Sequence, residues 1–93
     1  MAFSFQLSDE LKEKIRALAK KDKKTAEIIN KKIKQITGSD ETSIDHYKNL
    51  QHGLSDYKRV HIAKSFVLIF KVSKKEKSIL FDRFDHHDNI YKR

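Results

Sequence analysis

Residues 57–84 read YKRVHIAKSFVLIFKVSKKEKSILFDRF, and the changes of period inside this stretch decide the fold. Residues 57–63 alternate polar and apolar side chains, the period of a strand with one covered face. Residues 66–72 are nearly continuous apolar, with Phe66, Val67, Leu68, Ile69 and Phe70 in succession, which predicts a central strand covered on both faces. The lysine-rich run 73–77 predicts a turn, and residues 79–84 a last strand paired across it with 66–72. Successive strand residues point to opposite faces, so Val60 and Ile62 share one face, which must meet the core, and Arg59 and His61 share the open one. On the last strand the same parity groups Ile79, Phe81 and Arg83 and, if no bulge intervenes, carries on through Asp85 and His87. Phe84, His86 and Asp88 then point the other way.

Upstream, residues 2–7 alternate, with Phe3, Phe5 and Leu7 on one side, and predict a first strand at an edge or paired into the sheet. Ser8 offers an N-cap oxygen, Asp9 and Glu10 sit where a helix dipole favours anions, and Leu11, Ile15 and Leu18 recur at helical spacing down to the lysines of 20–24. Thr25 can cap a second helix that places Ala26, Ile29, Ile33 and Ile36 on one face and Lys31, Lys32 and Lys34 on the other, ending at Gly38. Residues 39–56 are polar, hold Gly53, and read as an irregular connection. The expectation is one α+β domain over residues 1–93: a two-helix hairpin packed on a small, mainly antiparallel twisted sheet, in the order β-α-α-β-β-β.

Charge points to an acidic partner. The 93 residues carry 21 Lys and Arg against 13 Asp and Glu, a net charge of +8. Residues 1–45 hold 10 basic and 8 acidic groups, whereas residues 46–93 hold 11 and 5 and all five histidines, so the second half is the working half. The absence of Cys excludes a disulfide framework, thiolate zinc sites and a cysteine nucleophile. No run approaches the roughly 18 apolar residues of a membrane span, and the start lacks a signal-peptide pattern, so a soluble cytoplasmic protein is expected. A basic, imidazole-bearing open face, with Tyr91 just beyond it, can cradle a phosphodiester. His86, His87 and Asp88 together could suggest a metal, but neighbouring strand residues face opposite ways and no further ligand spacing supports a shell; neither metal nor cofactor is expected. His46 and His52, in the polar segment, read as solvated, and Tyr57 and Tyr91 can equally be core or edge aromatics.

The run Tyr57-Lys58-Arg59-Val60-His61-Ile62, the apolar strand 66–72, Leu80-Phe81-Asp82-Arg83 and the tail His86-His87-Asp88-Asn89-Ile90-Tyr91 resemble the RelE/ParE superfamily of bacterial and archaeal toxins, nearest its YafQ-like branch. The resemblance covers almost the whole chain and is most specific over residues 47–91. It implies a toxin of a type II toxin-antitoxin system, an endoribonuclease that cuts mRNA in the ribosomal A site and is silenced by a cognate antitoxin, with a heterotetramer as one arrangement of the pair. The acid and base histidines of that branch fall on His61 and His87, its aromatic position on Tyr91, and a basic position on Arg83. An acidic position of relatives falls on Ser65, a loop histidine near Lys48, and the central-strand arginine of RelE-type toxins on Val67. These departures redistribute the mechanism over the remaining groups or mark a weak or specialised nuclease.

Cleavage of RNA without metal needs a base for the 2′-OH proton, an acid for the leaving 5′-oxygen, and cations against the growing phosphorane charge. Histidine serves either proton role near neutral pH, so His87 is taken as acid and His61 as base, with the roles reversible. Lys48, Lys58, Arg59, Lys64 and Arg83 are the candidates for RNA binding and charge stabilisation, and Tyr91 for stacking or for orienting the phosphate. Two other readings keep the fold: a ParE-like toxin that binds DNA gyrase without nuclease chemistry, and an RNA-binding module that does not cleave.

Overall fold

A computed structural model describes residues 3–49 and 57–90. The chain runs β1 (Ser4–Leu7), α1 (Asp9–Lys21), α2 (Lys23–Thr37), a 3₁₀ turn (Ser43–His46), β2 (Lys48–Asn49), β3 (Tyr57–Ile62), β4 (Phe66–Ser73), β5 (Ser78–His86) and α3 (His87–Ile90). The five strands form one sheet in the order β1-β5-β4-β3-β2. Among the described residues only the β1–β5 pair is parallel. This is the α+β architecture expected, with β4 at the centre.

The helices start and stop where side chains satisfy the unpaired backbone groups. Ser8 caps α1, its hydroxyl oxygen accepting from the Leu11 amide at 3.1 Å, and Asp9 and Glu10 occupy the first turn. The second helix starts three residues earlier than expected, and its cap is Asp22 rather than Thr25. The Asp22 carboxylate accepts from both the amide and the hydroxyl of Thr25, at 3.1 and 2.7 Å, so one residue ends α1 and begins α2. Leu11, Ala26, Ile29, Ile33 and Ile36 are buried, while Ile15 and Leu18 pack partly buried against the same core.

The polar connection is more structured than its composition suggests. Ile44 is fully buried in the 3₁₀ turn, and β2 adds a short fifth strand, Lys48 opposite Arg59 and Asn49 opposite Lys58. Gly53 and His52 lie outside the described residues. At the other end of the sheet Phe3 is buried, but Phe5 is 47% exposed, its ring in an edge-to-face pair with Phe81 with centroids 6.0 Å apart. Its strand is outermost, and the helical pair packs instead on β5 and β3.

The main correction concerns β5. Its register against β4 runs Val72 to Ile79 and Phe70 to Phe81, then Ile69 to Arg83 and Leu68 to Phe84, so Asp82 is an extra residue. Ile79, Phe81 and Phe84 therefore all enter the helix-side core, and Arg83 leaves the face of Ile79 and Phe81 to which simple alternation had assigned it. Ser8 completes the bulge: its amide donates to the Phe81 carbonyl at 2.9 Å and its hydroxyl to the Asp82 carbonyl at 2.6 Å. A second correction follows at the end of the strand, where His87 begins α3 instead of continuing the alternation.

Candidate active site

Cross-strand pairing builds the open face in rows. One row places His61, Val67 and Asp85 side by side; the next places Lys48, Arg59, Ile69 and Arg83. Val67 and Ile69 are buried beneath Tyr57 and Ile90, so the centre of the face is an apolar floor. Arg59 and Arg83 stand on either side of Ile69, two strand spacings apart, about 10 Å between backbones. Such a floor with cationic walls suits a flexible polyanion whose bases can lie against apolar surface.

The two expected histidines meet at one end of this trough. His61 is exposed on β3, and the chain reverses through residues 63–65 before β4, with Ala63 in the left-handed region at φ 56°. A non-glycine residue held there costs on the order of 1 kcal/mol, a strain the hairpin sustains. The carbonyl of Ser65, in the same turn, accepts from the His87 amide at 2.7 Å and fastens the start of α3 beside the β3–β4 hairpin. The His61 and His87 ring centroids consequently lie 6.1 Å apart, tilted by 34°. The His87 Nδ1 lies 3.2 Å from the Asp88 carboxylate. A carboxylate can only accept, so in that contact Nδ1 is the donor.

The remaining candidates separate. Lys64 is exposed in the turn between β3 and β4, three residues after His61, and Lys48 is exposed beside Arg59. Arg83 lies 4.0 Å from both Glu10 and Asp85, loose contacts at the surface. Lys58 points to the other side of the sheet, where its ammonium donates to the Tyr47 carbonyl at 3.2 Å and the Asn49 side chain at 3.0 Å and so pins β2 to β3. His86 also turns away from His87, against the Phe66 ring at 5.8 Å, and its Nδ1 accepts from the Asp88 amide at 3.1 Å. Tyr91 lies outside the described residues. Among the described residues no three His, Asp or Glu side chains group as metal ligands would.

Sequence reasoning missed one member of the region. Asp85 receives donors from three elements, and hydrogen bonds from Asn89 first, then from the His86 amide and Lys14, hold its carboxyl below the usual carboxylate range against the opposing effect of burial. Its place two residues ahead of His87 was the available signal.

A protein of the archaeon Methanocaldococcus jannaschii named "Putative toxin RelE4" is 46% identical over 91 residues, covering 98% of this chain and 93% of its own. The chain belongs to the RelE toxin family. A second relative of this RelE-family chain, an uncharacterized protein of Methanosarcina mazei, is 39% identical and covers 96% of this chain and 99% of its own. The fold matches a chain of the crystallised toxin-antitoxin complex RelBE2 of Mycobacterium tuberculosis, with a TM-score of 0.62 at 11% identity over 92% of this chain and 99% of that one. It also matches the solution structure of the conserved hypothetical protein HP0892 of Helicobacter pylori, with a TM-score of 0.58 at 17% identity over 96% and 99%. No family model matches the sequence. Val67, on which the resemblance places the central-strand arginine of RelE-type toxins, is fully buried, and among the described residues no helix is long and apolar enough to cross a membrane.

Proposed function

We propose that this RelE-family chain is the toxin of a type II toxin-antitoxin system and acts in the cytoplasm as an endoribonuclease on mRNA held in the ribosomal A site. The observation that carries the reading is the approach of His61 and His87, 6.1 Å between rings, at the end of a trough walled by Arg59 and Arg83. That proximity lets both imidazoles reach oxygens of one phosphodiester group, the arrangement a paired acid and base require.

In this reaction His61 takes the proton of the 2′-hydroxyl, and the 2′-oxygen attacks phosphorus. The bond to the 5′-oxygen breaks, and His87 gives that oxygen its proton, leaving a cyclic phosphate and a 5′-hydroxyl. Arg59, Arg83, Lys48 and Lys64 oppose the negative charge that accumulates and dock the backbone. The scheme calls for no metal or cofactor, and the two histidines can exchange roles. Tyr91 would stack on a base beside the scissile phosphate. A cognate antitoxin is the second partner, in a heterotetramer, and the exposed apolar residues Ile28 on α2 and Phe5 on β1 are sites for it to cover.

Induction of wild type and His87→Ala in growing cells, with growth and primer extension on a reporter mRNA followed together, tests this. Growth arrest with discrete cuts that disappear in the variant is expected. Arrest without cuts in either chain would replace the nuclease by a gyrase-directed or simply RNA-binding toxin.

A further inference from the structure

Asp85 lies where three elements converge. Its Oδ1 accepts from the His86 amide at 2.7 Å, from the Asn89 side-chain amide at 3.1 Å and from the Lys14 ammonium at 3.2 Å, and its Oδ2 lies 4.0 Å from the Arg83 guanidinium. His86 ends β5, Asn89 belongs to α3 and Lys14 to α1, so a single carboxylate ties the short final helix and the first helix to the strand end. His87 is the first residue of that final helix, and four residues of helix are too short to hold a direction without such ties.

We propose that Asp85 is a positioning residue for His87: its carboxylate fixes the β5–α3 junction so that the His87 ring stays opposite His61, with Lys14 anchoring the junction to α1. This rests on the catalytic reading of His87. Two hydrogen bonds fix the backbone that leads into the histidine, one from the His86 amide to Asp85 and one from the His87 amide to the Ser65 carbonyl. Losing the first removes the tie from β5 to the residue before His87, while the Ser65 carbonyl and the packing of Ile90 on Val67 and Ile69 still hold α3 to the sheet. The role runs through the backbone of the junction and not through the RNA, so loss of Asp85 should slow turnover while RNA binding persists.

The test compares full-length wild type, Asp85→Ala, Asp85→Asn and Asn89→Ala by amide hydrogen exchange and by steady-state RNA cleavage. Asp85→Ala should speed exchange of the His87 amide by about tenfold or more while the Leu68 amide in β4 keeps its protection. Its kcat should fall with KM little changed, and Asp85→Asn, which keeps an oxygen acceptor, should recover most of both. Asn89→Ala, a surface change that the fold tolerates, should move His87 exchange in the same direction by a smaller factor. Unchanged His87 exchange in Asp85→Ala and Asn89→Ala overturns the proposal, as does a fall in KM-linked binding with kcat intact. A chain that cleaves no RNA yet shows these exchange changes overturns the nuclease reading instead and leaves Asp85 as an anchor of α3.

Discussion

Phe81 and Phe84 stand three residues apart on one strand and both enter the same core, because Asp82 between them is bulged out of the ladder. The bulge turns the second half of β5 over, bringing Arg83 and Asp85 to the face that carries Arg59 and His61. Ser8 holds it by donating to the Asp82 carbonyl at 2.6 Å while capping α1. Ser8→Ala removes a cap and a partner of the bulge together and should lower unfolding stability by about 1–2 kcal/mol, read as a shifted urea midpoint with unchanged slope.

His61 and His87 are both exposed, so neither contributes much to the core. His61→Ala and His87→Ala should each reduce RNA cleavage by about 10²–10⁴-fold, the usual contribution of a general acid or base, and leave thermal stability within about 0.5 kcal/mol of wild type. Cleavage kinetics beside a thermal melt decide it; equal activity in either variant removes that histidine from the reaction.

Arg59 and Lys58 are sequence neighbours with opposite placements. Arg59→Gln should weaken RNA binding and reduce the steepness of its salt dependence by about one unit of the log–log slope, because a phosphate contact is lost. Lys58→Met should leave that slope unchanged, since the ammonium is engaged with Tyr47 and Asn49 on the other side of the sheet. Titrations at several salt concentrations separate the two.

Val67 occupies the floor of the trough, fully buried beneath Tyr57 and Ile90. Placing an arginine there would bury a charge or expel the residues above it, so Val67→Arg should be destabilised by several kcal/mol and should not increase cleavage. Denaturation of the purified variant and its activity at permissive temperature are the measurements.

Asp85 binds its proton less readily in the folded chain than at its ordinary value near 3.8, with Asn89, the His86 amide and Lys14 as the causes. Its stabilising contribution is therefore present above that ordinary value and is lost as pH falls through the lower folded one. The stability difference between wild type and Asp85→Asn should be constant near neutrality and shrink below about pH 3.8, as urea midpoints taken across pH will show.

Periodicity alone determined β1, the two long helices and the strands β3 to β5, that 66–72 is central, and that Arg59 and His61 turn away from the core, because those properties follow from side-chain alternation and from which groups water will accept; β2, the 3₁₀ turn and α3 carry no such pattern. Family resemblance added the expectation that His61 and His87 work together. What the tertiary structure decided is how β5 reaches its end: a strand pattern read in isolation has no bulge, and Asp82 became the extra residue only because Phe81 and Phe84 both find room in one core while Ser8 satisfies the displaced carbonyl. Asp22 took the cap from Thr25 in the same way, since one carboxylate there serves the end of one helix and the start of the next. The hub at Asp85 joins residues 14, 86 and 89, and no local pattern connects positions so far apart; only packing α1 beside the end of β5 brings the Lys14 ammonium to it.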